Sequence, residues 1–102
     1  MHRADLAVRK RLFQIYLNSR KQKLAGADLS FLDLRGANLS GANLHEAVLI
    51  RADLSDANLR GATLLGAYLR GANLERAEVT DEQLAQARSL EGATLPDSTV
   101  HE

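Results

Sequence analysis

Few residues of this chain are of a type that does chemistry. There is no cysteine, so thiol catalysis, thiolate metal sites and a disulfide framework are excluded, and nothing argues for an oxidising compartment. The histidines are His2, His45 and His101. None belongs to an HExxH motif or to a pair spaced four apart, the arrangement that aims two imidazoles from one helix face at a metal. Gly61 and Gly66 have the glycine spacing of a phosphate-binding loop. Ala67 and Tyr68, however, stand where that loop needs Lys and Ser or Thr. No motif selects a serine, a histidine and an acid as a set. The expectation is a protein that is not an enzyme, with no cofactor, no metal and no small-molecule substrate.

The two glycines are five residues apart because their whole region repeats at that interval. From Ala27 to Asp81 the chain is eleven consecutive five-residue units without insertion. The central residues form a ladder: Leu29, Leu34, Leu39, Leu44, Leu49, Leu54, Leu59, Leu64, Leu69 and Leu74, then Val79. Two residues before each stands Ala, with Leu32 the exception. A spacing of two puts Ala and Leu on the same side of an extended segment, and the Asp or Asn between them on the other. A corner after each Leu returns the next Ala to the inside and winds the chain into a tube. Gly36, Gly41, Gly61, Gly66 and Gly71 close five of the units, where positive φ costs least with glycine.

The A-[DN]-L-x-x array resembles the pentapeptide-repeat proteins. The resemblance covers a little over half of the chain. It implies an all-β solenoid, a right-handed quadrilateral β-helix with four units per coil and here about 2.75 coils. The departures from the family pattern are Leu32 at the small-residue position and Val48, Thr63, Tyr68 and Glu78 where Asp or Asn is usual. In the family the Asp and Asn residues are structural, in keeping with short polar side chains that hydrogen-bond nearby backbone.

Three regions are expected: a basic amphipathic capping helix in 1–24, the β-helix in 25–81, and a short capping helix and tail in 82–102. Formal net charge is zero, but residues 1–24 carry seven Lys or Arg against Asp5 alone. The spacing predicts a helix over 3–21. Leu6, Phe13 and Leu17 form its apolar face, extended by Val8, Leu12, Ile15 and Tyr16, and Arg11, Gln14, Asn18 and Lys21 lie opposite. It reads as the cap that a solenoid's open end requires. The rival is a basic helix lying on a membrane surface. Thr80 to Gln83 has the pattern of a capping box, so a second helix is expected over 81–90. Ala93-Thr94-Leu95 looks like one further unit, one residue out of phase, and 97–102 are expected to fray.

With units stacked every twenty residues, as the resemblance implies, outward positions sort into faces. Phe31, Val48, Ile50 and Tyr68 share one face and Leu65 lies near its edge. Ser55 reads as an ordinary surface position. This cluster is the candidate interaction surface, either covered by the chain's own first helix or paired with another subunit. The functional expectation is a cytoplasmic protein–protein interaction or scaffold module whose partner is unknown, with a homodimer as one possibility. Two alternatives stand beside it. One is a mimic of duplex DNA that binds a type II topoisomerase, as the resemblance to quinolone-resistance proteins implies. The other is peripheral membrane attachment through the first helix. Neither nucleic acid nor membrane is the expected partner. No apolar run approaches the roughly 18 residues of a membrane span, and no apolar signal core opens the chain.

Overall fold

The computed structural model describes residues 4–102, with the side chains of the first helix described from Val8 onward. Its elements are helix α1 (Ala4–Arg20), a 3-10 turn (Lys21–Lys23) and helix α2 (Asp81–Ala85). Between and after them runs the pentad array.

The outward Asp or Asn of each unit forms a parallel bridge to the residue twenty positions on. Asp28 pairs with Val48 and Tyr68 in one column, and Asp33 with Asp53 and Asn73 in the next. Asn38, Asn58 and Glu78 form a third column, and Asn43 and Thr63 a fourth. Four units therefore complete one circuit. The bridges are single residues, and no longer strand forms among the described residues. The cause is the unit itself, which is straight for about three residues before it turns. Each coil is held to the next by backbone hydrogen bonds in both directions, such as Leu49 N–H to Tyr68 C=O at 2.8 Å and Val48 N–H to Ala27 C=O at 2.8 Å.

The corner is a tight turn closed by a bond such as Ala52 N–H to Leu49 C=O at 3.1 Å. Its third residue has positive φ in every unit from Gly26 to Arg76, as in turns that need a left-handed residue there. Glycine fills most of these positions, but Phe31, Glu46, Arg51, Asp56 and Arg76 adopt the same conformation.

Inside the tube, Leu34 to Leu74 and their alanines pack as one buried column, while Leu29 and Val79 at its ends are partly buried against it. The array begins one unit earlier than the alanine pattern indicates. Leu24 is buried, Gly26 has positive φ, and Ala27 N–H donates to Leu24 C=O as at any other corner. Gln22 and Lys23 occupy the places of Ala and Asn, which hides this unit in the sequence.

Both open ends are closed by polar groups that imitate a neighbouring coil. At the first end α1 packs Phe13 and Leu17 against the core. Gln14 accepts from the Asn38 amide at 2.9 Å and donates to its carbonyl at 3.1 Å. Gln22 donates to Gly41 C=O, and Asn43 N–H donates to Lys21 C=O. Gln14 thus belongs to the packed side of α1, not to the solvent side assigned from periodicity. Leu6, placed on the apolar face, lies outside the described side chains.

At the other end α2 is five residues long and stops at Ala85, well short of residue 90. Thr80 and Gln83 complete the capping box, and the Gln83 amide also donates to the carbonyls of Leu59 and Ala62. Leu84 is buried and joins the core. The chain then resumes the circuit with one extra residue, pairing Tyr68 with Ser89 and Asn73 with Thr94. Residues 97–102 are not frayed. They turn back at Ser98 and pair antiparallel, with His101 N–H bonded to Ala93 C=O and Leu95 N–H to Thr99 C=O.

Ser55 is not the ordinary surface position its register indicates. It is buried, and its hydroxyl donates to Asp53 at 2.7 Å, so it is no neutral surface site. Leu54 beside it is fully buried in the middle of the column. Leu54→Ala is expected to cost about 2–5 kcal/mol, and Leu54→Lys to prevent folding by placing an unpaired charge in an apolar tube. Denaturant melts check both; a Leu54→Lys protein as stable as its parent would contradict the packed column.

Candidate functional site

The outward side chains divide into a structural set and an unoccupied set. The structural set is the column of short polar residues. The Oδ1 atoms of Asp28, Asp33, Asn38, Asn43, Asp53, Asn58 and Asn73 each accept the backbone N–H two residues on, at 3.0–3.2 Å. Each such bond holds a corner in place, which leaves these residues little freedom for a ligand.

The charges on the tube are mostly paired. Arg35 meets Asp33, Arg60 meets Glu78, and Arg76 meets both Asp56 and Glu75. These contacts set the acid behaviour of the surface. The Arg35 side chain, through its hydrogen bond and charge, holds Asp33 down at about 2, and Asp33 raises Arg35 in return. Arg76 lowers Asp56, while Ser30 lowers Asp28 and Thr99 lowers Asp97 through hydrogen bonds. The interspersed arginines break up any long acidic surface, so the tube lacks the uniform charge of a duplex mimic.

Among the described residues no three His, Asp or Glu side chains gather in a way that would hold a metal. A cleft between α1 and the first coil is lined by Lys10, Arg11, Phe13, Gln14, Asp33 and Arg35. It sets cations beside Asp33 but holds no nucleophile or base in position.

The unoccupied set is apolar. Phe31 is 70% exposed despite its size, and it sits at a corner with φ of 64°. For a bulky residue that backbone conformation is a genuine outlier. Leu32 beside it, in a slot filled by Ala in the other ten units from Ala27 to Asp81, is also exposed. Phe31 N–H bonds to Ile50 C=O, which makes the two residues neighbours on one face. Val48, Ile50 and Tyr68 are half-buried on this face, and Leu65 is exposed beyond the next corner. Arg88 stacks over the Tyr68 ring at 5.5 Å. Helix α1 bonds to Asn38 through Gln14, and the 3-10 turn after it bonds to Gly41 and Asn43 through Gln22 and Lys21, on other sides of the tube. Phe31 itself stays bare.

Sequence reasoning did not anticipate a second apolar set. Val8, Leu12, Ile15 and Tyr16 of α1 are all more than half exposed. The signal was present as two interleaved stripes, but a single apolar face was the simpler reading.

A model of pentapeptide repeats matches residues 18–41, 23–61 and 37–76, in eight copies, and these ranges together span more than half of the chain. Among similar solved structures is HetL, a pentapeptide repeat protein involved in heterocyst differentiation regulation from the cyanobacterium Nostoc sp. It is 33% identical, with 72% of this chain and 43% of HetL covered, at a TM-score of 0.52. The chain therefore spans less than half the length of that protein. Another is a pentapeptide repeat protein from the Arabidopsis thaliana thylakoid lumen, 29% identical over 87% of this chain and 74% of that one, at a TM-score of 0.35. No curated protein matches.

The lowered carboxylates give a testable pH dependence. Each has a folded pKa below its unfolded value of 3.8, so its contribution is fully present above that value and is lost as pH falls through the folded pKa. Stability should be level from neutral pH down to about 4, then fall gradually toward about 2, where Asp33 titrates. The decline should be shallow, since these groups are exposed and solvent screens them. Chemical melts across this range check it; a steep loss already above pH 5 would contradict the assignment.

Proposed function

The chain belongs to the pentapeptide-repeat family, whose members fold as right-handed quadrilateral β-helices and are generally interaction modules without enzymatic activity, and we propose that it acts as a protein–protein interaction module through the tube face around Phe31. The observation that carries this reading is Phe31 itself. A large aromatic side chain stands in solvent at a backbone position that favours glycine, which costs about 1–2 kcal/mol. Glu46, Arg51, Asp56 and Arg76 take the same conformation with charged side chains, and of these five corner residues only Phe31 sets an apolar one in solvent. Ile50, Val48 and Tyr68 extend the same face, with Leu32 just past its corner and Leu65 near its other edge, and a contiguous apolar patch serves a partner.

The partner proposed is a second copy of the chain. A two-fold contact needs one patch only, and each residue of it meets the mate's equivalent set. The rim carries both signs, which self-pairing can use: Arg51, Arg70 and Glu91 line one corner together, and Asp28 heads the column of Val48 and Tyr68. Burial at about 25 cal/mol per Å² of apolar surface would stabilise both subunits, and a domain this small gains from it. The likeness to HetL, a regulatory protein by its description, also favours binding over catalysis.

Phe31→Gly separates function from fold. It relieves the strained corner, so stability should stay within about 1 kcal/mol of the parent, while self-association should weaken. Sedimentation equilibrium over a range of concentrations, on the parent, Phe31→Gly and Ile50→Asp, reads this directly. A parent that stays monomeric throughout would rule out the dimer, and a dimer unchanged by both substitutions would place the contact elsewhere.

A further inference from the structure

Helix α1 has two apolar faces, and only one is used. Phe13 and Leu17 pack against the end of the tube, and Gln14 pairs with the Asn38 backbone. Val8, Leu12, Ile15 and Tyr16 follow the spacing of a second stripe, exposed at 53%, 59%, 56% and 52%. A capping helix has no use for these residues. Aspartate, serine or lysine would serve equally well on a side that meets only water.

From Val8 to the end of α1 the charges around this stripe have one sign. Arg9 and Arg20 border it along one edge and Arg11 along the other, by helical position. After Asp5 no acidic residue occurs until Asp28, while Arg9, Lys10, Arg11, Arg20, Lys21 and Lys23 all lie in this stretch. Arg20 lies over the Tyr16 ring at 5.2 Å, covering part of the stripe's end with its guanidinium. Pairing two such helices would bring like charges together at both rims, so a second α1 is a poor occupant. Four half-exposed side chains also fall well short of the roughly 800 Å² per partner that a stable protein interface buries. A lipid surface demands neither shape complementarity nor that area. It accepts a shallow apolar stripe in the acyl boundary and gains from every arginine that reaches the headgroups.

We propose that α1 lays its Val8–Leu12–Ile15–Tyr16 stripe on an anionic lipid surface while its other face closes the tube. The membrane alternative weighed from the sequence treated capping and lipid contact as rivals for one apolar face. The two stripes remove that rivalry. No helix among the described residues is long and apolar enough to cross a membrane, so the contact is peripheral. The dimer face around Phe31 lies on the tube and plays no part in it.

The test is co-sedimentation of the whole chain with phosphatidylcholine vesicles, with and without phosphatidylglycerol, at low and high salt. The expected result is binding at least about tenfold tighter to the anionic vesicles, weakened by salt. Leu12→Asp with Ile15→Asp should reduce it by about tenfold or more. Both positions are exposed, so an unchanged thermal melt would show that the fold survives. Arg11→Gln with Arg20→Gln should weaken the preference for the anionic lipid, with the thermal melt showing that the fold survives. Equal binding to neutral and anionic vesicles would overturn the proposal. So would binding indifferent to the two aspartates, which would be simple charge adsorption. Tight capture by a soluble acidic protein together with no vesicle pelleting would overturn it in favour of a protein partner.

Discussion

A five-residue unit can close a tube only if the chain turns left-handed once in every unit. That corner is the constraint on which the rest of the molecule depends. With it, each leucine and alanine returns to the inside, and each outward residue lands beside the one twenty positions on. The bonds between coils then form without further specification. Where Asp or Asn precedes the leucine, it holds the corner from outside by accepting the N–H two residues later. Glycine meets the constraint at little cost. Where Glu46, Arg51, Asp56 or Arg76 takes its place, a long or charged side chain stands on the surface at some expense in backbone strain. Gly71 in the next coil carries the same positive φ, and a Cβ there would also stand 3.0 Å from the flexible Arg51 side chain.

A stack of coils leaves two unsatisfied edges, and this chain treats each as a missing strand. Glutamine is the residue used. Gln14 pairs with one backbone amide and carbonyl as a neighbouring coil would, and Gln22 takes another carbonyl. Gln83 closes its own helix cap and two carbonyls of the preceding coil together. The returning tail through Val100 supplies the last antiparallel pairing. Edges closed in this way do not invite uncontrolled strand addition. Association is then left to side chains, and the apolar ones are gathered at Phe31 and along α1.

Much of this was legible in the sequence, because a strict period with one inward pair per unit admits few arrangements. Leu54 and Phe31 could be sorted into inward and outward positions from their place in the unit alone. The failures have local physical causes. Leu24 was passed over because Gln22 and Lys23 replace the small and polar residues of its unit, although Gly26 kept the corner. Ser55 looked exposed by register, but it lies in the middle coil with neighbours above and below, and its hydroxyl turns onto Asp53. The tail looked frayed because its pairing with Ala93 and Leu95 is antiparallel, a relation that no pentad period encodes. The second stripe of α1 was merged with the first because helical spacing alone does not say which apolar residues the tube will reach.

The central claim is that stability is built coil by coil around a continuous ladder closed at both ends. Native-state hydrogen exchange, read residue by residue, tests it most directly. Amides bonded within the middle coil, such as those of Leu49, Leu54 and Asn58, should exchange most slowly. Protection should fall toward the units at Leu29 and Thr94, and be lower again in the outer turns of α1. Middle-coil amides that exchange as fast as those at the ends, or protection concentrated in α1, would contradict the account.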